Sequence, residues 1–149
     1  MTTHVTDPVP ATLAKVQDIY AAFGRGDIPA ILDQIADDCQ WERWLNNTAQ
    51  AAGVSYLQPR TGPAGVAEFF MAVAELQIHD FQVSGYIASE REVVAKIIID
   101  ASTPSQGRFR DEELHVWTLD ENGKIAGLRH YVDTAKHIAA AAGTDTTRR

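Results

Sequence analysis

The sequence predicts an α+β fold: a curved antiparallel β-sheet shaped into a cone, with three helices from the N-terminal half covering its concave face. Two observations carry this expectation. Apolar residues recur at helical spacing up to Leu76, and from Gln77 the pattern changes to the two-residue period of strands. The strand-like stretches are joined by short polar turns, so consecutive strands are antiparallel neighbours. Helices first and strands afterwards is the order of an α+β domain.

Leu13, Val16, Ile19, Tyr20 and Phe23 share one helical face after Ala11, and Gly24 and Gly26 close that helix. Asp27 caps a second helix with Pro29 in its first turn, ending near Asp37-Asp38. Cys39 to Leu45 reads as a short strand with Cys39, Trp41 and Arg43 on one face, and residues 46–60 read as a long irregular loop. A third helix starts at Thr61-Gly62-Pro63 and buries Val66, Phe69, Phe70, Val73 and Leu76. Strands are expected over 78–88, 92–102, 107–119 and 124–133, and a short helix over 134–142. One domain over residues 11–142 results, between a flexible arm at 1–10 and a flexible tail at 143–149.

The 149 residues suit a single domain, and 45% hydrophobic with 22% charged residues is ordinary globular composition. A net charge of −7 argues against nucleic acid and against an anionic membrane surface, since both need clustered Lys and Arg. Cys39 is the single cysteine, so no internal disulfide forms, which fits a reducing compartment. The first ten residues lack the basic and apolar regions of a signal peptide, and no apolar run reaches the length of a membrane span. A cytoplasmic protein is expected.

Several strings resemble the nuclear transport factor 2-like superfamily, and within it the SnoaL-like and ketosteroid isomerase-like proteins. They are Val16 to Phe23 followed by Gly24-Arg25-Gly26-Asp27, then Ile35-Ala36-Asp37-Asp38, Gly62-Pro63-Ala64-Gly65-Val66, His115-Val116-Trp117-Thr118-Leu119, and Gly123-Lys124-Ile125 leading to Arg129-His130-Tyr131-Val132-Asp133. The resemblance covers roughly residues 12 to 135. It implies the cone fold, a small hydrophobic ligand inside it, and a homodimer. Its catalytic groups do not carry over. The isomerase base falls on Arg43, and the isomerase oxyanion donors fall on Ile19 and His115. The Tyr, Asn and Asp of the related epoxide hydrolases fall on Trp41, Arg43 and His130, and Lys96 to Ile99 holds no Arg-x-Asp.

Other residues must therefore carry any chemistry. Strand alternation puts Asp111, Glu113, His115 and Trp117 on one face of a strand, and Leu128, His130 and Val132 on one face of the next. Two imidazoles in one cavity can serve as base or as hydrogen-bond donor near neutral pH, with Glu113 or Asp111 fixing a tautomer. Arg43, a cation facing an apolar cone, is expected to meet a ligand anion or one of those carboxylates. Trp41, Trp117, Tyr20, Tyr56, Phe70 and Leu128 are expected to line the ligand site. His115, His130 and Glu113 lack the local spacing of known metal ligand sets, and no glycine-rich phosphate loop or nucleophile elbow is present, so neither metal nor cofactor is expected. The outer sheet face, with Val93, Ile97 or Ile99, and Val116, is the expected dimer surface. Three functions stay open: a cofactor-free acid–base isomerase, cyclase or hydrolase, a noncatalytic binder of a hydrophobic metabolite, and a protein scaffold.

Overall fold

The computed structural model describes residues 10–148, so the expected arm lies almost wholly outside the described residues. Helices α1 (Ala11–Gly24) and α2 (Ile28–Leu32) come first, then strand β1 (Ile35–Trp41). The long loop folds into helix α3 (Thr48–Ala51) and a 3-10 turn (Ser55–Leu57) before strand β2 (Arg60–Thr61) and helix α4 (Gly62–Ala74). Strands β3 (Gln77–Ala88), β4 (Glu92–Ser102), β5 (Arg108–Leu119) and β6 (Ile125–Tyr131) follow, then helix α5 (Thr134–Ala141).

Local chemistry accounts for the joints. Asp27 accepts a hydrogen bond from the Ala30 N–H at 3.2 Å and starts α2. Asp120 accepts from the backbone of Asn122 and Lys124, and Gly123 takes φ +76, closing the β5–β6 turn. Gly107 is fixed by proximity: a Cβ there would sit 1.8 Å from the Ala140 carbonyl, so only glycine lets α5 dock on β5.

The strands form one sheet in the order β2-β1-β6-β5-β4-β3. The four strands joined by short turns, β3 to β6, are antiparallel neighbours, but β1 pairs with β6 in parallel. The sheet is mixed, because the chain between them crosses from one end to the other through α4 and the β3–β5 meander. The core lies between the concave face and α1, α2 and α4, with Val16, Ile19, Ile31, Val66 and Phe69 meeting Val93, Ala95, Ile97 and Trp117.

Three expectations change. β1 begins at Ile35 and ends at Trp41, so Asp37-Asp38 belong to a strand and residues 42–45 do not. Val93, Ile97 and Ile99 face inward, because Ala95 lies opposite the inward His115 and the two-residue period fixes the rest. The outer face presents Val94, Lys96, Ile98, Leu114 and Val116 instead. The C-terminal tail is held beside β5, where the Thr146 N–H donates to the Arg108 carbonyl at 2.8 Å and Arg108 N–H to that of Thr144 at 3.1 Å. Among the described residues no helix is long and apolar enough to cross a membrane.

Candidate active site

The site begins where β1 ends. Glu42 adopts φ 58, a left-handed conformation that a non-glycine residue takes at a cost of about 1–3 kcal/mol. This breaks the strand alternation. Trp41 and Glu42 both become buried, at 1% exposure each, and Arg43 turns outward. Glu42 then accepts from the backbone N–H of His130, from His130 Nδ1 at 2.7 Å and from Trp44 Nε1 at 3.2 Å. Three donors satisfy an otherwise costly buried carboxylate. They also place a proton on His130 Nδ1, and in the neutral imidazole this leaves the Nε2 lone pair without a hydrogen bond among the described residues.

His115 lies directly across the β5–β6 pairing from His130, with ring centroids 4.3 Å apart. Its Nε2–H donates to Glu113 at 3.0 Å, so Nδ1 is an acceptor and receives a hydrogen bond from the Tyr20 hydroxyl at 2.8 Å. Tyr20 in turn accepts from Trp117 Nε1 at 3.0 Å. Burial, with His130 nearby, holds the His115 imidazole down to about 4, so it is neutral at pH 7.

A third imidazole completes the network. His137, on α5, places Nε2 2.8 Å from Asp111 and 2.9 Å from Glu113, and Nδ1 2.7 Å from the Tyr56 hydroxyl. Burial alone would lower its pKa, but the hydrogen bonds to Asp111 and Glu113 outweigh that and raise it to about 9. The Glu113 carboxyl is likewise held well below its ordinary range: burial opposes this, and the hydrogen bonds from His115 and His137 prevail. Burial pushes the Tyr20 and Tyr56 hydroxyls far up, so both remain protonated.

Two adjoining cavities of about 60 Å³ each open onto these groups, sharing Phe23, Phe69, Phe81, His115 and His130 as walls. One is completed by Tyr20, Trp41, Phe70, Trp117 and Leu128, and the other by Tyr56, Glu113 and His137 among others. A water molecule takes roughly 30 Å³, so each alone is the size of about two waters, and a ring compound has to span both. Larger hollows lie along α1 and α2 and on the outer sheet face, away from the histidines, and another of about 580 Å³ reaches His130 from the side of Trp44, Leu114, Tyr131 and Asp133.

Residues 16–128 match the family model of the SnoaL-like domain. The chain belongs to the SnoaL-like family. Its cone is shared with an NTF2-like protein from Burkholderia pseudomallei, at 22% identity and TM-score 0.72 over 89% of this chain and 98% of that one. A steroid delta-isomerase from Pseudomonas aeruginosa matches at 16% identity and TM-score 0.64 over 90% and 88%. SalBIII, an epoxide hydrolase/cyclase-like enzyme of pyran ring formation in polyether salinomycin, matches at 18% and 0.63 over 84% and 92%. No curated protein matches the sequence.

Within this SnoaL-like cone, His130, His115, Glu113, Tyr20, Tyr56, Trp41, Trp117, Phe70 and Leu128 converge on the cavities, and Asp111 joins through His137. Arg43 does not converge. It is exposed on the outer side, where it donates to Gln40 Oε1 at 2.9 Å, because the backbone reversal at Glu42 flips the parity that would have turned it inward. The phenol that reaches the interior from α1 belongs to Tyr20, while Ile19 packs in the core.

The residues missed by sequence reasoning are Glu42 and His137. Strand parity assigns Glu42 to the outside, and His137 carries no motif. Ligand atoms of Asp111, Glu113 and His137 lie within 4.8 Å of one another, so this SnoaL-like protein does contain three buried groups that could hold a cation. A metal there would have to displace the Nε2 proton that His137 now shares with both carboxylates.

Proposed function

We propose that this SnoaL-like protein is a cofactor-free acid–base enzyme of isomerase, cyclase or hydrolase type, acting on a small hydrophobic compound inside the cone, with His130 as the base. The observation that carries the reading is the Glu42–His130 pair, in which a buried carboxylate holds Nδ1–H at 2.7 Å and leaves Nε2 as the acceptor. Proton transfer to Nε2 would create an imidazolium beside a carboxylate already in place, so charge separation needs little reorganisation. The neutral His115 adds no competing positive charge to that step. Aromatic walls keep bulk water away and strengthen each of these interactions. Arg43 has no part in this reading. Dimerisation through the outer sheet face belongs to the same reading, with Val94, Ile98, Leu114 and Val116 as its apolar content.

The test is exchange of the α-hydrogens of cyclopentanone for deuterium, followed by NMR in D2O. The protein should raise exchange above the buffer rate. Glu42→Gln should lower the protein-dependent rate by about 10²-fold or more, and His130→Gln should abolish it while leaving the fold intact. Equal rates in wild type and His130→Gln would remove His130 as the base. A ketone that binds without any exchange would favour a noncatalytic binder.

A further inference from the structure

Among the described residues, two buried side-chain nitrogen or oxygen atoms have no hydrogen-bond partner, Trp41 Nε1 and Arg60 Nε. The first belongs to a residue that walls the aromatic cavity. Trp41 is 1% exposed, and its ring packs at 5.0 Å from Phe69, 5.8 Å from Trp117 and 6.2 Å from His130. The other polar groups around that cavity are committed: Trp117 Nε1–H to Tyr20, the Tyr20 hydroxyl to His115, and His115 Nε2–H to Glu113. An indole N–H donates and never accepts. A buried donor without an acceptor is rare in a folded protein and marks a place where a partner is missing. His130 lines the same cavity, and its neutral Nε2 has the opposite polarity, an acceptor without a donor among the described residues.

Charge narrows the partner further. Among the described residues, the buried acidic and basic side chains are Glu42, Asp100, Asp111, Glu113, His115 and His137, with neither Lys nor Arg. Asp100 is paired with Arg108 and Arg110, which leaves the other three carboxylates in the histidine network. Three carboxylates against one imidazolium repel a bound anion.

We propose that Trp41 Nε1–H is the specificity-determining donor of the cavity, and that it receives an uncharged acceptor oxygen of the ligand, the oxygen of a ketone, ether or epoxide. The proposal rests on the site assigned above and adds the ligand class. A ketone oxygen on Trp41 leaves its neighbouring C–H groups free to approach His130 Nε2 from within the same walls. Carboxylic acids are refused at neutral pH.

The experiment uses cyclopentanone and methylenecyclopentane, which share one shape, and cyclopentanecarboxylate, which carries a charge. Wild type is compared with protein carrying β-(3-benzothienyl)alanine at Trp41, which keeps the bicyclic ring and removes the N–H. Cyclopentanone should bind the substituted protein about tenfold more weakly, as loss of one buried hydrogen bond requires, and methylenecyclopentane should bind both equally. In 15N-labelled wild type, the Trp41 indole resonance, assigned by its loss in Trp41→Phe, should move on saturation with cyclopentanone and stay in place with methylenecyclopentane. Cyclopentanecarboxylate should bind at least tenfold more weakly than the ketone at pH 7. An unmoved indole signal, ketone affinity indifferent to the N–H, or no ketone binding overturns the assignment. Tight carboxylate binding overturns its charge selectivity. Ketone binding with an indole response but no deuterium exchange would retain the donor and remove the base, and exchange without an indole response would do the reverse.

Discussion

Raising the pH from 6.5 to 9.5 should remove a large part of this protein's stability through one residue, His137. In the unfolded chain a histidine titrates near 6.5, and in the folded protein the carboxylates of Asp111 and Glu113 hold His137 at about 9. A base raised on folding binds more protons folded than unfolded between those two values. Its contribution is therefore complete below pH 6.5 and is lost as the pH climbs through 9. At about 1.4 kcal/mol per pH unit, the interval is worth about 3 kcal/mol, and the depressed Glu113 carboxyl reflects part of the same interaction and is not counted again. His115 has the opposite sign. Held at about 4, it is destabilising when protons are plentiful, so stability also falls from pH 6.5 towards 4 by about 3 kcal/mol. The expected profile is a maximum near pH 6.5 with an arm on each side. Urea unfolding followed by tryptophan fluorescence at pH 5, 6.5, 8 and 9.5 measures it, and NMR titration of the two imidazoles assigns each arm to its residue. His137→Gln should lose the alkaline arm and cost about 3–5 kcal/mol at pH 7, since it leaves two carboxylates facing each other. Stability that stays level between pH 6.5 and 9 in the wild type would refute the reasoning, as would a His137 midpoint near 6.5.

Two other substitutions test the packing that supports the site. Tyr20→Phe removes the group that accepts from Trp117 Nε1 and donates to His115 Nδ1, leaving both unpaired. It should lower unfolding free energy by about 1–3 kcal/mol and, in NMR, shift the His115 ring signals. Gly107→Ala places a Cβ against the Ala140 backbone, which can yield only if α5 moves. It should cost about 3 kcal/mol by urea unfolding and lower the His137 midpoint, because α5 carries that imidazole away from Asp111 and Glu113.

The residues of β5 show what can be read locally. Their alternation is strict, with Phe109, Asp111, Glu113, His115 and Trp117 buried and the residues between them exposed or half-buried. A two-residue period is a property of the strand itself, so the shared face of Glu113 and His115 was legible from spacing, as was that of Leu128 and His130. On β4 every residue from Val93 to Ile99 is apolar except Lys96, so hydrophobicity alone does not say which parity faces in. Register against β5 decides it, with Ala95 opposite His115. Glu42 was hidden for a different reason. Parity holds only while the backbone stays extended, and a left-handed residue at the end of β1 breaks it, exchanging the expected Arg43 for a carboxylate.

By its sequence alone the chain determined the change from helical to strand period, the turns at Asp120 and Gly123, and the pairing of two histidines on adjacent strands, because each depends on neighbours along the chain. Tertiary structure decided the parallel contact of β1 with β6, the burial of Glu42 beneath His130, and the arrival of His137 from α5 between Asp111 and Glu113. Those contacts join residues 88 and 26 positions apart. They exist because a carboxylate buried in the cone needs donors around it, a condition set by the whole enclosure and by no local stretch of sequence.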